Sequence, residues 1–152
     1  MTFDPSRSTP AGYWRFAAEY FLAAQTVHKS LPRLSTPALQ LYGQSLELAL
    51  KAFLLKRGVS LETVASLRHR LAEILRMART RKLGTDVKLT AHDLALINLL
   101  GQNYAAHRFR YIVTGATRVP DLNYLAPICE RLVAGLEFYC TGYSWGIQRR
   151  GA

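Results

Sequence analysis

The chain has 152 residues, 49% of them hydrophobic, with 20 Lys and Arg against 10 Asp and Glu, a net charge of +10. That length and composition suit one globular domain with its own core and exclude a disordered tail. No apolar run approaches the roughly 18 residues of a membrane span, and the opening MTFDPSRSTPAG lacks the basic-then-apolar pattern of a secretory leader, so the expected location is cytoplasmic, away from membranes.

Residues 1–11 are polar, contain Pro5 and Pro10, and read as a flexible leader to a single domain spanning 12–143. A first helix is expected from about Gly12 to Ser30, with Tyr13, Phe16, Ala17, Tyr20, Phe21 and Ala24 as its apolar stripe. Pro32 and Pro37 bracket the link to the next helix.

The segment Thr36–Gly58, TPALQLYGQSLELALKAFLLKRG, predicts the central helix. Thr36 is placed as the N-cap with Pro37 at the first helical position, and Gly58 as the left-handed stop. Apolar residues cover most of its circumference, which belongs inside a bundle. A narrow polar line remains: Gln40, Gln44, Glu47 and Lys51. Glu47 and Lys51 form an i, i+4 pair that is either a structural pair or part of a polar strip opening onto a cleft or a dimer seam.

Ser60 can cap a short helical piece, followed by an amphipathic helix marked by Leu67, Leu71, Ile74, Leu75 and Ala78, with Arg68, Arg70, Arg76 and Arg79 on its outer face. Thr90-Ala91-His92-Asp93 is a helix-start signal for a segment carrying Leu94, Ile97, Leu100 and Tyr104. His107–Pro120 mixes arginines with aromatic and β-branched residues and is expected as a loop or a short extended segment. The last helix starts near Asp121 or Asn123, with Pro127 better placed if Asn123 is the cap. Residues 144–152 are expected as a flexible tail. Four to five helical segments without a strand pattern make this an all-α, up-and-down helical bundle.

Cys129 and Cys140 fall on the last helix about 16 Å apart at ~1.5 Å per residue, too far for a disulfide. Neither they nor the four histidines show metal-ligand spacing, so neither metal nor cofactor is expected.

With the helices placed, the sequence resembles the HEPN family (higher eukaryotes and prokaryotes nucleotide-binding). The resemblance rests on SLELALKAFLLKRGVS (Ser45–Ser60), LRHRLAEIL (Leu67–Leu75), and the order Asn103-Tyr104, then Arg108–Tyr111, then a proline before the last helix. It implies a HEPN-like bundle, commonly a homodimer, binding RNA or nucleotides, in many relatives beside a nucleotidyltransferase partner in a toxin–antitoxin or defence-like context. The nuclease members carry Arg, four to six residues, then His near the start of the last long helix. None of His28, His69, His92 and His107 has an arginine at that spacing upstream, so the chain reads as a variant without the ribonuclease motif.

The binding candidates are His107, Arg108, Arg110 and Tyr111, joined by Arg68 and His69. Arginine offers a forked, charge-assisted contact to phosphate, protonated histidine donates to it, and Phe109 or Tyr111 could stack on a base. Against this stand aromatics that anchor the loop and arginines that are solvated. No catalytic residue is assigned. The expected function is a non-catalytic module that binds RNA or a nucleotide or docks on a partner; the alternatives are a degenerate ribonuclease using His107 or His69 with nearby arginines, and a purely structural dimerisation module.

Overall fold

A computed structural model describes residues 7–33, 35–109, 118–144 and 146. The regular structure among them is helical throughout: α1 Pro10–Ser30, α2 Thr36–Lys56, α3 Leu61–Ser66, α4 Leu71–Thr80, a 3-10 turn Leu83–Thr85, α5 Ala91–Ala105 and α6 Leu122–Thr141. The chain is an all-α bundle around α2, which packs most extensively on α1, then on α6, and on its other sides meets α3, α4 and α5. Leu46, Ala49, Leu50, Ala52, Phe53 and Leu54 are wholly buried, as a helix apolar on most of its circumference requires.

Several local expectations shift. Ser35, not Thr36, is the N-cap of α2; its hydroxyl accepts from the Ala38 N–H, and Thr36 is already helical. Gly58 does take a left-handed conformation, φ 91°. Helix α1 begins at Pro10, capped by Thr9, so the end of the expected leader is helical. Its core face is Trp14, Ala17, Ala18, Phe21 and Ala24, rotated from the predicted stripe. Trp14 sets that rotation: it is fully buried, and its indole N–H donates to the Val133 carbonyl at 2.7 Å, which leaves Phe16 49% exposed.

The amphipathic helix expected from Leu67 begins later, at Leu71. Helix α3 ends at Ser66, residues 67–70 form a turn with Arg68 at φ 49°, and α4 starts at Leu71, so Arg68 and Arg70 lie in a turn instead of on an outer helix face. The short piece expected after Ser60 stands as a helix of its own, and the described residues hold six α-helices against the expected four to five. In α6 the cap is Asp121, whose carboxylate accepts from the Asn123 N–H, and Pro127 lies inside the helix. Cys129 and Cys140 are buried and unpaired; burial raises both thiols, Cys140 to about 12. Among the described residues, no helix is long and apolar enough to cross a membrane.

The start of α5 follows the sequence signal closely. Thr90 Oγ1 accepts from the Asp93 N–H, Asp93 Oδ2 accepts from the Thr90 N–H, and Arg131 of α6 pairs with the same carboxylate at 2.9 Å. Burial acts to raise the Asp93 pKa, but the Thr90 backbone, Arg131 and the Thr90 side chain outweigh it, and the net direction is down. A carboxyl held lower in the fold than in the open chain contributes stability above its ordinary value of 3.8 and loses it as pH falls through the folded value. Asp93→Asn should therefore cost about 1 kcal/mol near neutrality, with the gap to wild type closing as acid is added. Urea unfolding of both proteins across the acid range tests this; a constant gap would show that the charge contributes nothing.

Candidate basic cleft

Helix α2 carries Glu47 and Lys51 one turn apart, and the fold buries both, at 6% and 7% exposure. The polar line is thus not left to water: Gln40 and Gln44 are half-buried, and the two charged residues are enclosed. Charges out of water need partners, and three elements supply them. Lys51 Nζ donates to Glu47 Oε2 at 3.0 Å and to the Arg68 carbonyl at 2.6 Å. Tyr104 of α5 donates its hydroxyl to Glu47 Oε1 at 2.8 Å. His69, from the turn before α4, places Nδ1 2.8 Å from the same oxygen. A carboxylate only accepts, so Nδ1 carries the proton and Nε2 is left for other work.

Two of the three non-glycine residues with positive φ among the described residues, Arg68 at 49° and His107 at 57°, stand here. Such backbone costs about 1–3 kcal/mol per residue and persists where the surroundings enforce it. For Arg68 the reason is visible: the strained peptide delivers its carbonyl to the buried Lys51 ammonium, a charge-assisted bond that offsets the strain. The turn after α5 brings His107 to His69, ring centroids 5.3 Å apart and nearly edge-on at 78°.

The result is a cleft of about 610 Å³ whose charged wall is Lys51, Arg68, His69, Arg70 and His107, with Ala65 and Ala105 between them. The Arg68 guanidinium is exposed and makes no hydrogen bond or ion pair among the described residues. Arg70 is fixed at the rim by the Ser66 and Leu67 carbonyls and by Glu73. Lys51 has three N–H groups, and two are used internally. The third, with the Arg68 fork, offers donors to an anion.

A second concavity of about 320 Å³ lies across the same ion pair, between α1 and α2; Tyr13, Phe16, Glu47, Leu48 and Lys51 line it, with Arg7, Ser8 and Gly12 at its edge. Burial and then the Glu47 charge raise the Tyr13 phenol, keeping it protonated.

Of the residues singled out from sequence, Arg68, His69, His107, Glu47 and Lys51 converge. Arg108 does not line the cleft; it bonds Asn103 Oδ1 at 3.2 Å, and Asn103 in turn holds the Arg118 carbonyl. Gln44 also stays out of it. Arg110 and Tyr111 lie outside the described residues. Phe109 packs against the core, an anchor for its turn. Tyr104, taken as one more apolar position of α5, is a direct partner of Glu47, and Arg70, taken as an outward cation, is a rim residue; nothing in the spacing of either identified those roles. His92 is exposed with its ring 5.9 Å from Tyr124, and His28 pairs with the Tyr42 hydroxyl at 2.9 Å, so neither belongs to the cleft. Among the described residues no group of three or more His, Cys, Asp or Glu is placed to hold a metal ion. No protein-family model matches the chain, and no curated protein or solved structure matches it.

Proposed function

We propose that the chain is a HEPN-like helical module that binds the phosphate of RNA or of a nucleotide in the Lys51–His107 cleft without cleaving it, as a homodimer and beside a nucleotidyltransferase-type partner. One observation carries the ligand class: cationic and imidazole side chains from α2, the α3–α4 turn and the end of α5 converge on a single concavity, among them a buried lysine with a donor to spare. The three segments that resemble HEPN proteins each contribute to it, through Glu47 and Lys51, through Arg68–Arg70, and through Tyr104 and His107. The net charge of +10 adds long-range attraction for a polyanion.

Fluorescence anisotropy with a labelled single-stranded RNA tests the reading. Affinity should fall steeply as salt rises, because bound phosphates release counterions. Arg68→Gly removes the guanidinium while suiting the positive φ, so the fold is kept and affinity should drop about tenfold. No detectable binding at low salt would refute the proposal.

The Glu47–His69–His107 arrangement favours one competing reading, a degenerate ribonuclease. A carboxylate that orients one imidazole, with a second imidazole beside it, could let one ring take the ribose 2′-hydroxyl proton as that oxygen attacks phosphorus. The other ring would protonate the departing 5′-oxygen, leaving a 2′,3′-cyclic phosphate. Gel analysis of the same RNA after long incubation separates the two: intact RNA supports binding alone, whereas fragments that vanish in His107→Ala support cleavage.

A further inference from the structure

The geometry points to a second subsite: we infer that the α1–α2 concavity lined by Tyr13 and Phe16 holds the base of the nucleotide unit whose phosphate lies in the basic cleft. The inference rests on the phosphate-binding reading above and extends it across the Glu47–Lys51 pair. Lys51 lines both concavities, so a ligand reaching from one to the other passes the same side chain.

The second concavity has what a flat heteroaromatic ring needs. Phe16 stands 49% exposed beside it, turned out of the core by the rotation of α1; Arg15 lies over one face of the ring, 5.7 Å from its centroid, and a ring has two faces. Tyr13 and Leu48 are half-buried and add apolar wall. Aromatic stacking accepts any base, since every base has a π-face.

The floor is selective where the walls are not. Glu47 Oε1 already accepts from Tyr104 and His69, whereas Oε2 accepts only from Lys51 among the described residues. A carboxylate oxygen offers two lone pairs, so Oε2 keeps one site for a further donor. The Tyr13 hydroxyl, protonated and without a hydrogen-bond partner among the described residues, can donate to a ring nitrogen or carbonyl. A buried acceptor next to a free hydroxyl suits a base with an exocyclic amino group. Uracil, whose single ring N–H sits between two carbonyls, would bring an oxygen towards the carboxylate. Adenine, guanine and cytosine are therefore preferred to uracil.

Calorimetric titration of the full chain with AMP, UMP, ribose 5-phosphate and adenosine tests this. AMP should bind about tenfold more tightly than ribose 5-phosphate and more tightly than UMP. Phe16→Ala, at an exposed position, should bring AMP down to the affinity of ribose 5-phosphate and leave the latter unchanged. Tyr13→Phe should narrow the AMP–UMP difference while keeping the stacking gain. Equal affinity of AMP and ribose 5-phosphate, unaffected by Phe16→Ala, would overturn the base subsite while the phosphate cleft stands. Adenosine binding that is lost in Phe16→Ala, with AMP bound no more tightly than adenosine and ribose 5-phosphate not bound, would uphold the subsite and refute the phosphate cleft. No binding of any of the four would refute both. Hexa-adenylate binding tighter than AMP would identify the unit as part of an RNA strand, and equal binding as a free nucleotide.

Discussion

Lys51→Met should destabilise the protein by about 3–5 kcal/mol, the cost of leaving a buried charge without its partner. The stem keeps its length, so packing of the aliphatic part is largely preserved; what disappears is the ammonium bridging Glu47 Oε2 and the Arg68 carbonyl. Both acceptors lose their charged donor, with the Glu47 side chain only 8% exposed. The strained turn at Arg68 loses its tether at the same time. Glu47→Gln in the same chain should restore most of the loss, because the amide carbonyl still accepts from Tyr104 and the uncompensated charge is gone. Urea unfolding of the single and double variants measures this directly. A single-variant loss below about 1 kcal/mol, the range of exposed pairs, would mean that water reaches Glu47 in the native state.

Gly43→Ala on the same helix should also destabilise, against its intrinsic propensity. Alanine in a helix interior is favoured over glycine by about 1 kcal/mol. At this position, however, an added Cβ would lie 2.6 Å from Tyr104 Cδ2 and 2.9 Å from Cε2. The ring cannot swing clear: it is 3% exposed, and its hydroxyl is held by Glu47. Overpacking of this kind costs about 1–3 kcal/mol, and a shift of Tyr104 would loosen the carboxylate that orients His69. The partner variant makes the claim specific. In a Tyr104→Ala background the methyl has room, and Gly43→Ala should become neutral or stabilising, so the double-mutant cycle should show coupling. Additive effects would show that the Gly43–Tyr104 approach is not what selects glycine.

What the sequence determined here is the set of features with local causes. The Thr90–Asp93 box closes between residues three apart in the chain, and the left-handed stop at Gly58 is a property of a residue without a Cβ. The apolar periods of α2 and α5, and hence an all-α bundle, follow likewise from side-chain spacing. Where neighbouring signals competed, the boundary moved by a residue or so, as with Ser35 and Thr36.

Tertiary structure decided everything that depends on which faces meet. The spacing of Glu47 and Lys51 announces a pair, but burial by neighbouring helices turns a weak surface contact into an enclosed one whose partners come from the α3–α4 turn and α5. Trp14, by taking the core position on α1, exposed Phe16 and opened the second concavity. His69 and His107 belong to different elements and meet only because two strained turns aim at one place. Helix period is encoded residue by residue, whereas the convergence of side chains depends on how helices rotate and approach, which is fixed by the packing of the whole core.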